Sequence, residues 1–132
     1  MSVPGVRWLS SDDADLRWYR RGSQQLRLAD AVDGGAGAAM TVGFARYAAG
    51  EANEWIVSYD EALVVTKGSF AVETGGETTV AGVGEVIYLS NGTPVVYRAI
   101  DESEVVYVSY PHWHEATVRS PHAARLEEFV EE

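Results

Sequence analysis

The sequence predicts an all-β domain, an antiparallel sandwich or barrel closed by a short C-terminal helix. Three observations carry this. Short β-branched and aromatic runs follow one another at near-regular spacing from residue 38 to residue 110. The breaks between them are rich in glycine. No stretch in that interval repeats with the period of a helix.

Taken in order, the first 37 residues are the least patterned. Ser10 to Asp13 can cap a short helical turn reaching about Tyr19. Residues 24–32 alternate weakly, as an edge strand does, and residues 33–37 read as a flexible glycine turn. Residues 40–48 then alternate, with Met40, Val42 and Phe44 on one face and Thr41 and Arg46 off it. A turn at 50–53 leads to a strand at 55–58, and the β-branched run 62–66 stops at Lys67 and Gly68. Strands 70–74 and 77–80 flank Gly75 and Gly76, a two-residue hairpin signal. Strands 85–89, 95–100 and 104–110 bring the candidates from residue 38 onward to eight. The last of these is apolar on both faces (Val105, Val106, Tyr107, Val108), as expected of a strand between the core and a covering layer, often a partner subunit.

Ser120 as N-cap and Pro121 in the first turn open a terminal helix carrying Ala124, Leu126, Phe129 and Val130. Glu127, Glu128, Glu131 and Glu132 oppose its dipole, so its end should fray. One domain is expected: an N-terminal arm over residues 1–37, a barrel over 38–118 and the helix over 119–132.

The composition narrows the chemistry. With 132 residues and 46% apolar content the chain can bury a core without staples. It has no cysteine, which excludes disulfides, thiolate metal sites and cysteine nucleophiles. A net charge of −10 makes nucleic acid and anionic membranes poor partners. No apolar run approaches the roughly 20 residues of a membrane span. The start of the sequence lacks the apolar core of a signal peptide, so the expected location is the cytoplasm. Arg17, Arg20, Arg21 and Arg27 make the N-terminal quarter basic, either as a face paired with the acidic C-terminus or as an anion patch.

Two segments carry a motif. Gly50 opens the first, Glu61 is its acid, and Gly68 closes it seven residues later. The second runs from Gly84 through Gly92 and Pro94 to Val95. Together they resemble the two motifs of the cupin superfamily, which implies a double-stranded β-helix, or jelly-roll, barrel. In that pattern three histidines and the glutamate hold a transition metal. Here the histidine positions fall on Trp55, Val57 and Val95, and only the glutamate is kept. Trp55, Val57, Tyr59, Asp60 and Glu61, then Val65 to Gly68, then the run from Val106 to Pro111 and Trp113 are similar to the EutQ-type cupins of ethanolamine utilisation. That resemblance implies a small dimeric barrel with a pocket lined by acid and aromatic groups. An acetate-kinase-like activity and a link to bacterial microcompartments have been proposed in that family, although the chain has no Gly-Lys-Ser/Thr phosphate loop.

The residues themselves point the same way. A carboxylate among Val57, Leu63 and Val65 faces a barrel interior, where burial raises its pKa toward the range of general acid–base work. The alternative for Glu61 is a structural acid bonded to a tyrosine or to Arg46. Tyr59, two residues earlier, projects to the same side and can donate a proton or orient a substrate oxygen. Tyr47, Tyr88, Tyr97 and Tyr107 are further candidates for the pocket wall. Trp55 either stacks on a substrate or plugs the barrel.

His112 and His114 share a face beside Glu115, a chemically possible metal pair beyond the last strand. His122 reads as solvated. The expectation is a homodimeric, metal-independent protein without cofactor that binds a small polar metabolite, with Glu61 and Tyr59 catalytic and Trp55, Val57, Val95 and the tyrosines contacting it. Alternatives are a non-catalytic binding module and a metal enzyme rearranged around Glu61 with tyrosines or His112 and His114.

Overall fold

The computed structural model describes residues 5–33, 35 and 37–132, so residues 1–4, and Gly34 and Ala36 of the expected glycine turn, lie outside the described residues. Two antiparallel sheets face each other. The larger has strands β1 (Tyr19–Arg21), β2 (Leu26–Val32), β3 (Thr41–Tyr47), β5 (Asp60–Lys67), β8 (Val86–Leu89), β10 (Ser103–Tyr110) and β11 (Phe129–Glu131) in the order β11-β1-β2-β3-β10-β5-β8. The smaller has β4 (Ala52–Ile56), β6 (Ser69–Thr74), β7 (Glu77–Gly82) and β9 (Pro94–Ala99) in the order β4-β9-β6-β7. This is the antiparallel two-sheet arrangement expected from the strand spacing, and the jelly roll that the cupin resemblance implies.

Strict alternation fixes which side chains enter the barrel, because successive residues of a strand point to opposite faces. On β5, Glu61, Leu63 and Val65 are buried and Asp60 is exposed. On β10, Ser103, Val105, Tyr107 and Ser109 are buried. On β9 the buried set is Val95, Tyr97 and Ala99. On β3 the inward face is Thr41, Gly43, Ala45 and Tyr47, while Met40 is exposed and Val42 half-buried. The small residues there make room for aromatics from neighbouring strands.

Gly75 and Gly76 form the hairpin between β6 and β7, with φ of 59° and 80°. That left-handed pair matches the twist of the flanking strands, and a side chain would strain it.

Three expectations change. The terminal helix over residues 119–132 is replaced by a 3-10 helix, Ala123–Glu128, and by β11, which pairs with β1. Two of the four acids that oppose a helix dipole find cations instead: Glu132 pairs with Arg20 at 3.6 Å and Arg27 at 2.7 Å, and Glu128 with Arg21 at 3.1 Å. The short helix lies earlier, α1 (Trp113–Val118). The edge strand expected at residues 24–32 is interior, because β1 and β11 cover it. The capped segment before Tyr19 makes isolated turns in place of a helix, with Ser10 Oγ accepting from the Asp12 amide at 3.1 Å.

Candidate functional site

At one end of the barrel both sheets turn aromatic side chains inward around an apolar cavity of about 50 Å³. It has room for roughly three waters or the head of a small ligand. Tyr47 reaches it from β3, Trp55 from β4, Tyr59 from the bend before β5, Glu61 from β5, Tyr97 from β9 and Tyr107 from β10. Leu28, Trp113 and Phe129 line both this cavity and an outer cleft of about 700 Å³. The cleft lies within the ~300–1,000 Å³ typical of ligand sites. Those three side chains form the wall that the cavity and the cleft share. Asp13, Asp15, Asp30, Asp33 and Glu115 give the outer chamber an acidic rim, with Arg17 among them.

The polar groups are held in fixed pairs. Tyr97 Oη donates to Glu61 Oε1 at 2.7 Å. Trp55 Nε1 donates to Tyr59 Oη at 2.8 Å, and Asn53 Nδ2 to Tyr47 Oη at 3.2 Å. Tyr107 Oη donates to Asp30 Oδ1 at 2.5 Å, and Trp113 Nε1 donates to the same carboxylate at 2.9 and 3.1 Å. Tyr107 reaches Asp30 because the residue between them is Gly43: Asp30, Gly43 and Tyr107 are register neighbours on β2, β3 and β10. A Cβ on Gly43 would lie 2.3 Å from Tyr107 Cζ and Oη.

Behind the wall lies a buried cation. Arg21 Nη1 donates to Asn53 Oδ1 at 2.6 Å and to the Glu54 carbonyl, and its guanidinium sits 5.0 Å from the Trp55 ring centroid and 5.8 Å from that of Phe129. The Trp55 and Phe129 rings meet edge to face at 5.6 Å. The indole is therefore locked on three sides.

Burial sets the protonation of the site. Glu61, only 6% exposed, has its pKa pushed from an ordinary 4.5 up to about 7 by loss of solvent, against the opposing pull of the Tyr97 bond. Asp30 is raised by burial too, with the Tyr107 and Trp113 bonds pulling the other way. The phenols of Tyr47, Tyr59, Tyr97 and Tyr107 are all raised, first by burial. They stay protonated at neutral pH. Opposite Glu61 in the β5–β10 register stands Ser109, whose Oγ is a buried side-chain atom without a hydrogen-bond partner among the described residues.

Of the residues read from sequence, Glu61, Tyr59, Trp55, Tyr47, Tyr97 and Tyr107 meet at the cavity. Val57 and Val95 are buried in the core and do not line it. Tyr88 is corrected outright: on β8 Ile87 and Leu89 point inward, so Tyr88 is on the outer face and 64% exposed. Arg46 is not the partner of Glu61; it pairs with Glu104 at 3.4 Å and Asp12 at 3.6 Å. Sequence reasoning missed Asp30, Asn53, Phe70 and Phe129. Asp30 sat in a weak alternation, Asn53 in an apparent turn, and Phe129 in an apparent helix.

The metal of the cupin pattern does not fit these donors. At the three histidine positions stand an indole, whose N–H is spent on Tyr59, and two valines. His112 and His114 lie in the outer cleft. His112 Nε2 meets the Ala38 carbonyl, Nδ1 lies 3.3 Å from Glu115 Oε2, and the His114 ring packs on Trp113. Among the described residues no three His, Asp or Glu side chains converge on one point.

Known proteins are similar over this same region. A sequence model of the family described as ethanolamine utilisation protein EutQ matches residues 21–115, which include Glu61 and the four cavity tyrosines. The chain is 29% identical over 84 residues to the acetate kinase EutQ of Escherichia coli K12, covering 64% of this chain and 36% of that protein. It thus spans about a third of the length of the curated relatives it matches. A solved protein of unknown function from Rhizobium leguminosarum bv. viciae 3841 superposes with a TM-score of 0.66 at 31% identity, over 81% of this chain and 98% of that one. The EutQ protein of Clostridium difficile superposes with a TM-score of 0.67 at 20% identity, over 76% of this chain and 72% of that chain, a likeness of fold.

Proposed function

The chain belongs to the family of ethanolamine utilisation protein EutQ, and from that premise we propose that it binds a small polar metabolite at the inner cavity and moves a proton on it with Glu61, without a transition metal. One observation carries the reading: Glu61 is a buried carboxyl, its proton affinity raised by loss of solvent, on the wall of a cavity that shares Leu28, Trp113 and Phe129 with a ligand-sized cleft. A group with that proton affinity gives and takes protons at neutral pH with comparable ease. The reaction class is proton transfer, isomerisation or elimination, since the cavity wall offers no thiol and no activated hydroxyl nucleophile. Tyr59 assists at a substrate oxygen, and Trp55 shapes the wall.

A second reading, a non-catalytic binding module, is favoured by the small size of the inner chamber. We also propose a cytosolic homodimer. Support for the dimer comes from the outer face of the larger sheet, where Val42, Val64, Val106 and Val108 are half-buried and Val86 and Tyr88 exposed. Among the described residues no helix is long and apolar enough to cross a membrane.

The test is a ¹³C-carboxyl NMR titration of Glu61 in the full chain, alongside elemental analysis of protein purified without chelator. Titration near 7 and no stoichiometric transition metal are expected. Titration in the ordinary carboxylate range would overturn the acid–base role, and one transition metal per chain would overturn the metal-free reading.

A further inference from the structure

The four phenols of the inner cavity fall into two classes. A tyrosine hydroxyl has one proton to give and lone pairs to receive. Tyr97 and Tyr107 give their protons to Glu61 and Asp30. Tyr47 and Tyr59 do the reverse, accepting from Asn53 and Trp55. Among the described residues the protons of Tyr47 and Tyr59 therefore have no acceptor, although the two residues are only 4% and 2% exposed. Glu61 completes the set: Oε1 is held by Tyr97, and Oε2 accepts nothing among the described residues. The charge of Glu61 acts on both phenols, so the three groups share one electrostatic neighbourhood.

Each unused buried donor costs roughly 1–3 kcal/mol. Accepting a hydrogen bond also makes each phenol a stronger donor. The cavity thus presents two primed donors and one basic oxygen within an apolar wall. An ammonium group would meet two protons, and a carboxylate would meet the charge of Glu61. The complementary ligand is a single neutral oxygen able to accept two hydrogen bonds, with an acidic C–H beside it.

We propose that the site enolises a small aldehyde or ketone, with Tyr47 and Tyr59 as the oxyanion hole and Glu61 as the base; this rests on the acid–base reading of Glu61 given above. Glu61 takes the proton from the carbon next to the carbonyl. The C–H electron pair becomes the enolate double bond, and the carbonyl π pair moves onto oxygen. Tyr47 and Tyr59 hold that oxyanion, and Glu61 returns the proton to carbon. Atoms and electrons balance with no co-reactant. A cavity of about 50 Å³ fits the carbonyl and its α-carbon, while the rest of the molecule lies past Leu28, Trp113 and Phe129 in the cleft.

The experiment follows exchange of the α-protons of hydroxyacetone and glycolaldehyde in D₂O by proton NMR, using the full chain. Wild type should exchange them, Glu61→Gln should not, and Tyr88→Phe on the outer face should match wild type. Tyr47→Phe and Tyr59→Phe should each slow exchange by about 100-fold, the loss typical of one oxyanion donor. If either variant fails to fold, 3-fluorotyrosine at that position keeps the hydroxyl, makes it more acidic and should change the rate. Glu61-dependent exchange that both Phe variants leave intact overturns the oxyanion hole and spares Glu61 as proton carrier. No Glu61-dependent exchange of either probe overturns the carbonyl assignment, while the carboxyl titration judges the acid–base reading separately.

Discussion

The hydroxyl of Tyr97 on β9 donates to Glu61 Oε1 on β5 at 2.7 Å, a hydrogen bond that joins the smaller sheet to the larger through the barrel interior. It also opposes the effect of burial on the carboxyl, and burial is the larger of the two. Tyr97→Phe removes the opposing influence and keeps the ring. Glu61 should then titrate above 7 in a ¹³C-carboxyl NMR experiment. A value below that of wild type would mean that the phenol does not stabilise the carboxylate.

The raised pKa of Glu61 makes stability depend on pH. Between about 4.5 and 7 the folded protein holds a proton that the unfolded chain has released. Stability is therefore full below 4.5, falls as pH rises through this window, and levels off above it. At about 1.4 kcal/mol per tenfold in proton affinity, the loss is about 3 kcal/mol. Glu61→Gln keeps the shape and cannot ionise. Wild type should lose about that much relative to Glu61→Gln between pH 4.5 and pH 8 in urea unfolding, because Asp30 titrates in both proteins and cancels. A difference independent of pH would rule out the buried ionisation.

Gly43 is a glycine in mid-strand, where glycine ordinarily weakens a sheet. Its register partner Tyr107 explains it: the phenol ring occupies the place of the missing Cβ and so reaches Asp30. Gly43→Ala should cost about 2 kcal/mol by overpacking. The double variant Gly43→Ala with Tyr107→Leu, which removes the clashing ring, should recover part of that loss relative to the sum of the singles. Simple additivity of the two changes in thermal unfolding would show that ring and glycine are not coupled.

Local chemistry was legible in the sequence where the signal and its cause lie within a few residues. The Gly75–Gly76 hairpin, the inward set on β5 and the Tyr59–Glu61 juxtaposition all depend on alternation or a two-residue turn. Tyr88 shows the opposite case, since β8 is only four residues long and its inward face is set by pairing with the distant β5. Residues 119–132 were misread because their partners are far away in sequence. Phe129 pairs with Arg21, and Glu132 meets Arg20 and Arg27, so contacts that override helix chemistry come from the first quarter of the chain. Asp30 becomes a site residue only because Tyr107 and Trp113 converge on it from β10 and α1.

Arg21 is the least exposed of the N-terminal arginines, and its guanidinium backs the cavity wall. Arg21→Met should destabilise the protein by about 2 kcal/mol. It leaves Asn53 Oδ1 and the Glu54 carbonyl without their donor and removes the cation from the Trp55 face. Glu128 is half-exposed and re-solvates at little cost. The loss should appear in urea unfolding together with altered Trp fluorescence. A change under about 0.5 kcal/mol, the scale of an ordinary surface substitution, would show that the cation is not part of the wall.

The outer face of the larger sheet supports the proposed dimer. Val106 lies between Phe44 and Val64 in register, Val108 between Val42 and Ala62, and Val86 and Tyr88 continue the row on β8. An apolar face of this kind, ending in exposed Val86 and Tyr88, gains by covering itself with its own copy. Wild type should therefore run as a dimer in size-exclusion chromatography with light scattering. Val86→Glu, on an exposed side chain with little to lose in the monomer, should shift it toward monomer with an unchanged far-UV spectrum. Glu61 faces the opposite side of the sheet, so its titration should be the same in the dissociated protein. A monomeric wild type, or a Val86→Glu variant that stays dimeric, would place the contact elsewhere.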